Sequence, residues 1–129
     1  MTESFQPAFD HIHLRSLDPD AAAQFYVDKL GAGVIERIET EKLMRVAVRI
    51  GTLDIFIDRV PRGTTPAASR PHLGLEHFGL KVPDLDAAAA RLKAKGVEFT
   101  MEPVELRPGL RISFIRAPDD VSIELLQRG

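Results

Sequence analysis

One motif occurs twice in this chain. Asp10-His11 aligns with Glu76-His77, Leu14 with Leu80, Arg15 with Lys81, Asp18 with Asp84, and Asp20-Ala21-Ala22-Ala23 with Asp86-Ala87-Ala88-Ala89, all at a constant offset of 66 positions. A constant offset of that length implies two copies of one folding module, each opening with a histidine at an equivalent place. A pseudo-twofold pair would bring His11 and His77 together, and paired imidazoles are the beginning of a metal site. The chain has 129 residues, 44% of them hydrophobic. That suffices for one domain with a real core and is too short for two ordinary independent domains.

Each copy reads as strand, helix, then three strands. Phe9 to Arg15 is a short β-type run. Asp18 or Asp20 can cap a helix whose apolar positions Ala22, Phe25, Tyr26 and Leu30 follow helical spacing, and Gly31 ends it. The second copy places a strand at Phe78 to Val82, a helical stripe at Leu85, Ala88, Ala89 and Leu92, and a stop at Gly96. The strands that follow are Val34 to Ile38, Leu43 to Ile50 and Leu53 to Val60 in the first copy. In the second they are Val97 to Met101, Leu110 to Arg116 and Val121 to Gln127. The domain therefore runs over 1–129, with module one at about 8–60, a linker at 61–74 and module two at about 75–128. Pro61 to Gly74 holds three prolines, two glycines and a Thr-Thr pair, and is expected to lack structure of its own.

Alternation along the strands decides which residues share a face. In the first strand His11, His13 and Arg15 point one way, and Ile12 and Leu14 point toward the helix. Leu53, Ile55 and Ile57 take the helix side, leaving Asp54, Phe56 and Asp58 opposite. Val46, Val48 and Ile50 likewise leave Arg45, Ala47 and Arg49 with the acids, and Ile123 and Leu125 leave Glu124 and Leu126. One face thus collects His11, His13, Asp54, His77 and Glu124, with Arg15, Arg45, Arg49 and Lys81 around them. This is a candidate metal site ringed by positive charge.

Composition excludes several alternatives. The formal net charge of -2, with no arginine-rich run or zinc-finger spacing, gives no pull toward nucleic acid or anionic membrane. There is no cysteine, so any metal must be held by nitrogen and oxygen. Met1 to Phe9 has no apolar leader, and no stretch approaches the roughly 20 apolar residues of a membrane span. A soluble, cytoplasmic protein is expected. Glycine-rich phosphate loops and Gly-x-Ser-x-Gly elbows are missing, which leaves nucleotide hydrolysis and serine chemistry without support.

Together these residues resemble the vicinal oxygen chelate superfamily, which includes lactoylglutathione lyase, methylmalonyl-CoA epimerase, extradiol dioxygenases and bleomycin-resistance proteins. The resemblance rests on Phe9-Asp10-His11, Asp18-Pro19-Asp20, Phe25-Tyr26, Leu75-Glu76-His77-Phe78-Gly79-Leu80-Lys81-Val82-Pro83-Asp84-Leu85, Ala117-Pro118-Asp119-Asp120 and Ser122-Ile123-Glu124-Leu125-Leu126. It implies an α+β fold of two βαβββ modules forming a curled mixed sheet around a metal-binding cleft, usually in a homodimer. It also implies that His11, His77 and Glu124 are ligands of one divalent ion: nickel, cobalt, zinc, manganese or iron. The fourth position is a glutamate or glutamine in lyase-like members. Its best match here is Asp54 in Leu53-Asp54-Ile55, one methylene shorter, read either as a ligand or as an acid behind the ligands.

The chemistry this resemblance implies is Lewis acidity with open coordination positions. The expected function is a lyase or isomerase of the glyoxalase type, which chelates adjacent oxygens of a small, anionic substrate and moves a proton through an enediolate-like intermediate. Glu124 or Asp54 would carry that proton, His13 is a further catalytic candidate, and Arg15, Arg45, Arg49, Phe56 and Lys81 are candidates for substrate contact. One alternative is an iron(II) extradiol dioxygenase using His11, His77 and Glu124 alone, with His13 as acid-base residue. Another is a non-catalytic small-molecule binding or resistance protein. Phe56, the linker and a Pro103 to Gly109 loop would shape the pocket.

Overall fold

The structure is a computed structural model that describes residues 5–129. Met1–Ser4, the start of the N-terminal stretch read above as lacking an apolar leader, lie outside the described residues. The elements in order are β1 (His11–Ser16), α1 (Pro19–Leu30), β2 (Gly33–Glu39), β3 (Met44–Ile50), β4 (Leu53–Arg59), β5 (Phe78–Lys81), α2 (Leu85–Ala94), β6 (Phe99–Arg107), β7 (Leu110–Ala117) and β8 (Val121–Arg128). A 3-10 turn at Pro118–Asp120 precedes β8. The α+β class and the repeated βαβββ order match the expectation from sequence. Contacts divide the chain into two compact units, one ending at Arg62 and the other beginning at Gly63.

Each unit is a four-stranded mixed sheet with a helix on one face, in strand order β1-β4-β3-β2 and β5-β8-β7-β6. β1 runs parallel to β4 and β5 parallel to β8, whereas the remaining neighbours are antiparallel. A parallel neighbour requires a crossover connection, and in each unit the helix that follows the first strand begins it. The helices start on side-chain caps: Asp18 Oδ1 accepts from the Ala21 N–H at 3.1 Å, and Asp84 Oδ1 from that of Ala87 at 3.1 Å. Gly31 closes α1 with φ 72°, a left-handed conformation that costs glycine nothing.

The alternation read from sequence becomes the core of each unit. In the first, Ala22, Ala23 and Tyr26 of α1 are buried, as are Val46, Val48, Ile55 and Ile57 on strands that α1 contacts. In the second, Leu85, Ala89 and Leu92 of α2 are buried with Ile115, Ile123 and Leu125. The alanine runs let helix and sheet approach closely, while each fully buried aliphatic side chain contributes about 1.5–3 kcal/mol. No helix among the described residues is long and apolar enough to cross a membrane.

Residues 61–74 contain no helix or strand. Two boundaries in the second unit differ. Val97 does not begin a strand: its N–H bonds to the Leu92 carbonyl at 3.0 Å and closes the end of α2. Pro103 to Gly109, expected to be a loop, is strand as far as Arg107. Pro103 falls at a register shift between Met101 and Val104, on a strand at the edge of its sheet. A residue without an N–H is tolerated at such a place.

Ser113 of β7 is fully buried opposite Leu125, and its hydroxyl has no hydrogen-bond partner among the described residues. Ser113→Ala should therefore leave stability unchanged or raise it by up to about 1 kcal/mol. Ile123→Ala, which empties a filled core position, should cost about 2–5 kcal/mol. Urea denaturation reads both; a clear loss of stability in Ser113→Ala would show that the hydroxyl is bonded in the folded protein.

Candidate functional site

In the first unit the face away from α1 carries a continuous set of chemical groups. β1 and β4 pair so that His11 faces Asp54, His13 faces Phe56 and Arg15 faces Asp58. The His11 ring stacks on Phe56 with centroids 4.1 Å apart and planes 16° apart, and its Nδ1 lies 2.6 Å from Asp10 Oδ2. With Nδ1–H given to that carboxylate, Nε2 is the nitrogen left for a ligand. The guanidinium of Arg45 covers the Phe56 ring at 4.9 Å. The same Arg45 donates twice to Asp58, at 2.6 and 3.0 Å, and Asp58 Oδ2 lies 3.0 Å from His13 Nε2.

In the second unit the equivalent face carries fewer groups, placed close together. His77 Nδ1 is held by Glu76, and its Nε2 lies 3.3 Å from Glu124 Oε1. Its ring meets Phe114 edge-on with centroids 4.9 Å apart. Gly79 faces Glu124 across the β5–β8 ladder. A Cβ added at Gly79 would lie 3.2 Å from Leu126 Cδ2 and 3.5 Å from Glu124 Oε1, so glycine is what keeps the space above this carboxylate open. Within neither unit do three His, Asp or Glu side chains gather into a set that could hold a metal, among the described residues.

Strand register changes the reading of Asp54. Ile12 faces Ile55 in the first unit and Phe78 faces Ile123 in the second, so the place of Glu124 is taken in the first unit by Phe56, and that of Ser122 by Asp54. The local likeness of Leu53-Asp54-Ile55 to Ile123-Glu124-Leu125 is thus out of step with the ladder by two residues. Asp54 is instead clamped by Arg49, whose guanidinium donates to its two oxygens at 2.6 and 3.1 Å. That guanidinium holds the Asp54 carboxyl below the usual carboxylate range.

The expected ring of cations divides in two. Arg45 and Arg49 are paired with Asp58 and Asp54, so their charge is largely cancelled on this face. The side chains of Arg15 and Lys81, equivalent positions of the repeat, have no ion-pair or hydrogen-bond partner among the described residues. Sequence reasoning placed Asp58 on the correct face but gave it no role; its links to Arg45 and His13 cross strands and have no local signal. It also gave no role to Asp10 and Glu76, although their adjacency to the two histidines was the available sign.

Two βαβββ units, each opening on an acid-histidine pair and one closing on a glutamate beside its histidine, define a class of small α+β proteins built on a repeated module. The profile of the Glyoxalase/Bleomycin resistance protein/Dioxygenase superfamily matches residues 8–125, and the chain belongs to that superfamily. It is 32% identical over 127 residues to the uncharacterized protein YwkD of Bacillus subtilis, spanning 92% of this chain and 94% of that one. It is 30% identical over 123 residues to a probable chloroplastic lactoylglutathione lyase of Arabidopsis thaliana, covering 92% of this chain but only 35% of that protein. The crystal structure of a glyoxalase family protein from Enterococcus faecalis aligns with a TM-score of 0.80 at 24% identity, over 92% of this chain and 96% of that one, a likeness of fold.

The Asp58 carboxyl is held below the usual range, first by the Arg45 guanidinium and then by the nearby His13, against the opposing effect of burial. Its folded pKa is therefore lower than the unfolded value of about 3.9. The sign follows: the pair's stabilisation is present above about pH 4 and is lost as pH falls through the depressed folded value. Asp58→Asn should be less stable than the parent at neutral pH, and the difference should close on the acid limb of a series of thermal melts. A gap that persists undiminished to the lowest pH would remove the ion pair as its cause.

Proposed function

We propose that this protein is a metal-dependent lyase or isomerase of the glyoxalase type, acting on a small, anionic substrate with two adjacent oxygens. The observation that carries the proposal is the placement of His77 Nε2 3.3 Å from Glu124 Oε1, with the other ring nitrogen taken up by Glu76. Two donors each about 2.1 Å from a shared ion adopt a separation of this size. His77, Glu124 and, by its equivalent place in the repeat, His11 would hold one divalent ion among nickel, cobalt, zinc, manganese and iron. Such an ion supplies Lewis acidity and open positions for the two substrate oxygens.

Glu124 takes the proton from the carbon beside the substrate carbonyl and returns it to the neighbouring carbon, an isomerisation that needs no oxidant. The opening over Gly79 gives substrate access to that carboxylate. Arg15 and Lys81 meet the anionic part of the substrate, because Arg45 and Arg49 are already paired. Asp54 stays outside the ligand set and orients Arg49. The lactoylglutathione lyase relative supports the reaction type, although this chain spans about a third of its length.

A second reading is favoured by one observation, the phenyl ring of Phe56 at the ladder position that corresponds to Glu124. It leaves a set of two histidines and one carboxylate, which with iron(II) suits a dioxygenase of catechol-like substrates. His13, with Nε2 on Asp58, would then offer Nδ1 for proton transfer.

Elemental analysis of purified protein tests the ligand set. Alanine at His11, His77 or Glu124 should lower metal content and melting temperature together, whereas Asp54→Ala should keep the metal. Full occupancy in the three ligand variants would defeat the assignment, and a metal-free parent protein would favour a binding role. Exchange of an α-proton in heavy water on 2-oxoaldehyde–thiol adducts, set against oxygen uptake with catechols, separates the two reactions. Stoichiometric oxygen consumption by iron-loaded protein without proton exchange would overturn the lyase or isomerase reading.

The same reading includes a homodimer. The outer strands expose apolar side chains, Val34 and Ile35 on β2 and Met101, Val104 and Leu106 on β6. Light scattering at micromolar concentration should give about twice the chain mass of 14.3 kDa; the chain mass itself would count against it.

A further inference from the structure

We infer that Arg70 is a positioning residue for His77: it holds Glu76 beside the turn that starts β8, and through Glu76 fixes the imidazole so that Nε2 faces Glu124. The inference rests on the reading of His77 and Glu124 as ligands, and assigns a role to a residue in the segment that joins the two repeats. Arg70 Nη2 donates to the Asp120 carbonyl at 2.7 Å, and Nη1 to Asp120 Oδ2 at 3.2 Å. Its Nε lies 3.6 Å from Glu76 Oε1, while the other Glu76 oxygen accepts from His77 Nδ1. One planar guanidinium therefore joins the residue before His77 to the residue before β8, four positions ahead of Glu124.

The Asp120 end of this brace is itself fixed. Asp120 sits at φ 61°, a left-handed conformation unusual for a residue with a side chain, and Arg116 donates to its second carboxylate oxygen. The segment that carries His77 into β5 and the strand that carries Glu124 are thus tied at their entry ends by one side chain. An imidazole whose Nδ1–H is given to an anchored carboxylate has one orientation and one nitrogen free for a ligand. Loss of such a partner typically weakens metal affinity about 10–100-fold.

Zinc affinity measured by competition with a chelating indicator tests the chain of contacts. Arg70→Ala and Glu76→Ala should each weaken binding about tenfold or more, and the double variant should be no weaker than Glu76→Ala alone, because Arg70 acts through Glu76. Arg70→Lys, which restores the charge but not the fork, should recover part of the loss. Additive losses in the double variant would overturn the inference, as would unchanged affinity in Arg70→Ala. A second measurement needs no metal: the His77 Nδ1 proton should give a protected imidazole resonance in the metal-free protein. It should vanish in Glu76→Ala and broaden by exchange in Arg70→Ala, with little change in melting temperature. Should the parent protein bind no metal, the ligand reading fails and this resonance still decides the brace; a sharp, protected signal in Arg70→Ala would overturn it.

Discussion

The parallel ladder that closes each unit decides what chemistry its open face can carry. β1 against β4 and β5 against β8 are the pairs that set the last strand beside the segment that opens each unit; Ile12 and Phe78 correspond at the offset of 66 positions, whereas their ladder partners Ile55 and Ile123 lie two positions further apart. A strand has a side-chain period of two, so a shift by two keeps a residue on its face but moves it along the strand by about 6.6 Å. On the proposed reading, that distance separates a ligand from a bystander. It is why Glu124 and Phe56, and not Glu124 and Asp54, are counterparts, and why two modules so similar in sequence present different donor sets.

Electrostatics on the first face follows from the same ladder. Arg49 faces Asp54 and Arg45 faces Asp58 across the β3–β4 pair, and each guanidinium closes on its facing carboxylate as a two-point fork. Such pairs bring rigidity to the strand surface more than net attraction for an incoming ligand, since the charge is cancelled where it stands. Phe56, between the His11 ring and the Arg45 guanidinium, extends this ordering to the first histidine. The imidazoles on both faces are held from behind by the acid that precedes them in sequence.

What the sequence disclosed and what it hid divide by range. The repeat, the cap that Asp18 or Asp20 could supply, found at Asp18, and the alternation that buries Ile55, Ile57, Ile123 and Leu125 are local signals, and each is found in the structure. The bulged path of β6 through Pro103 was hidden because proline normally marks a break, and only an edge strand with a shifted register accommodates it. The register match of Phe56 to Glu124 depends on pairing between strands, which a short window such as Leu53-Asp54-Ile55 cannot report. Arg70 was hidden for the same reason: it lies in a segment whose composition reads only as a linker, and its partner Asp120 is 50 positions away.

The replacement of a donor by a phenyl ring has a consequence for charge. On the proposed reading, two neutral imidazoles and one carboxylate leave a divalent ion with one net positive charge, whereas a second carboxylate would have cancelled it. Because Arg45 and Arg49 are already neutralised by Asp58 and Asp54, that residual charge would act with Arg15 and Lys81, whose side chains are unpaired among the described residues, to attract an anion. With few protein donors, such an ion would keep more positions open for the oxygens of a substrate. On that reading, reduced donor number and cancelled flanking charge would work in one direction: they would concentrate recognition of an anionic, oxygen-chelating substrate at the ion itself and leave the surrounding face to orient it.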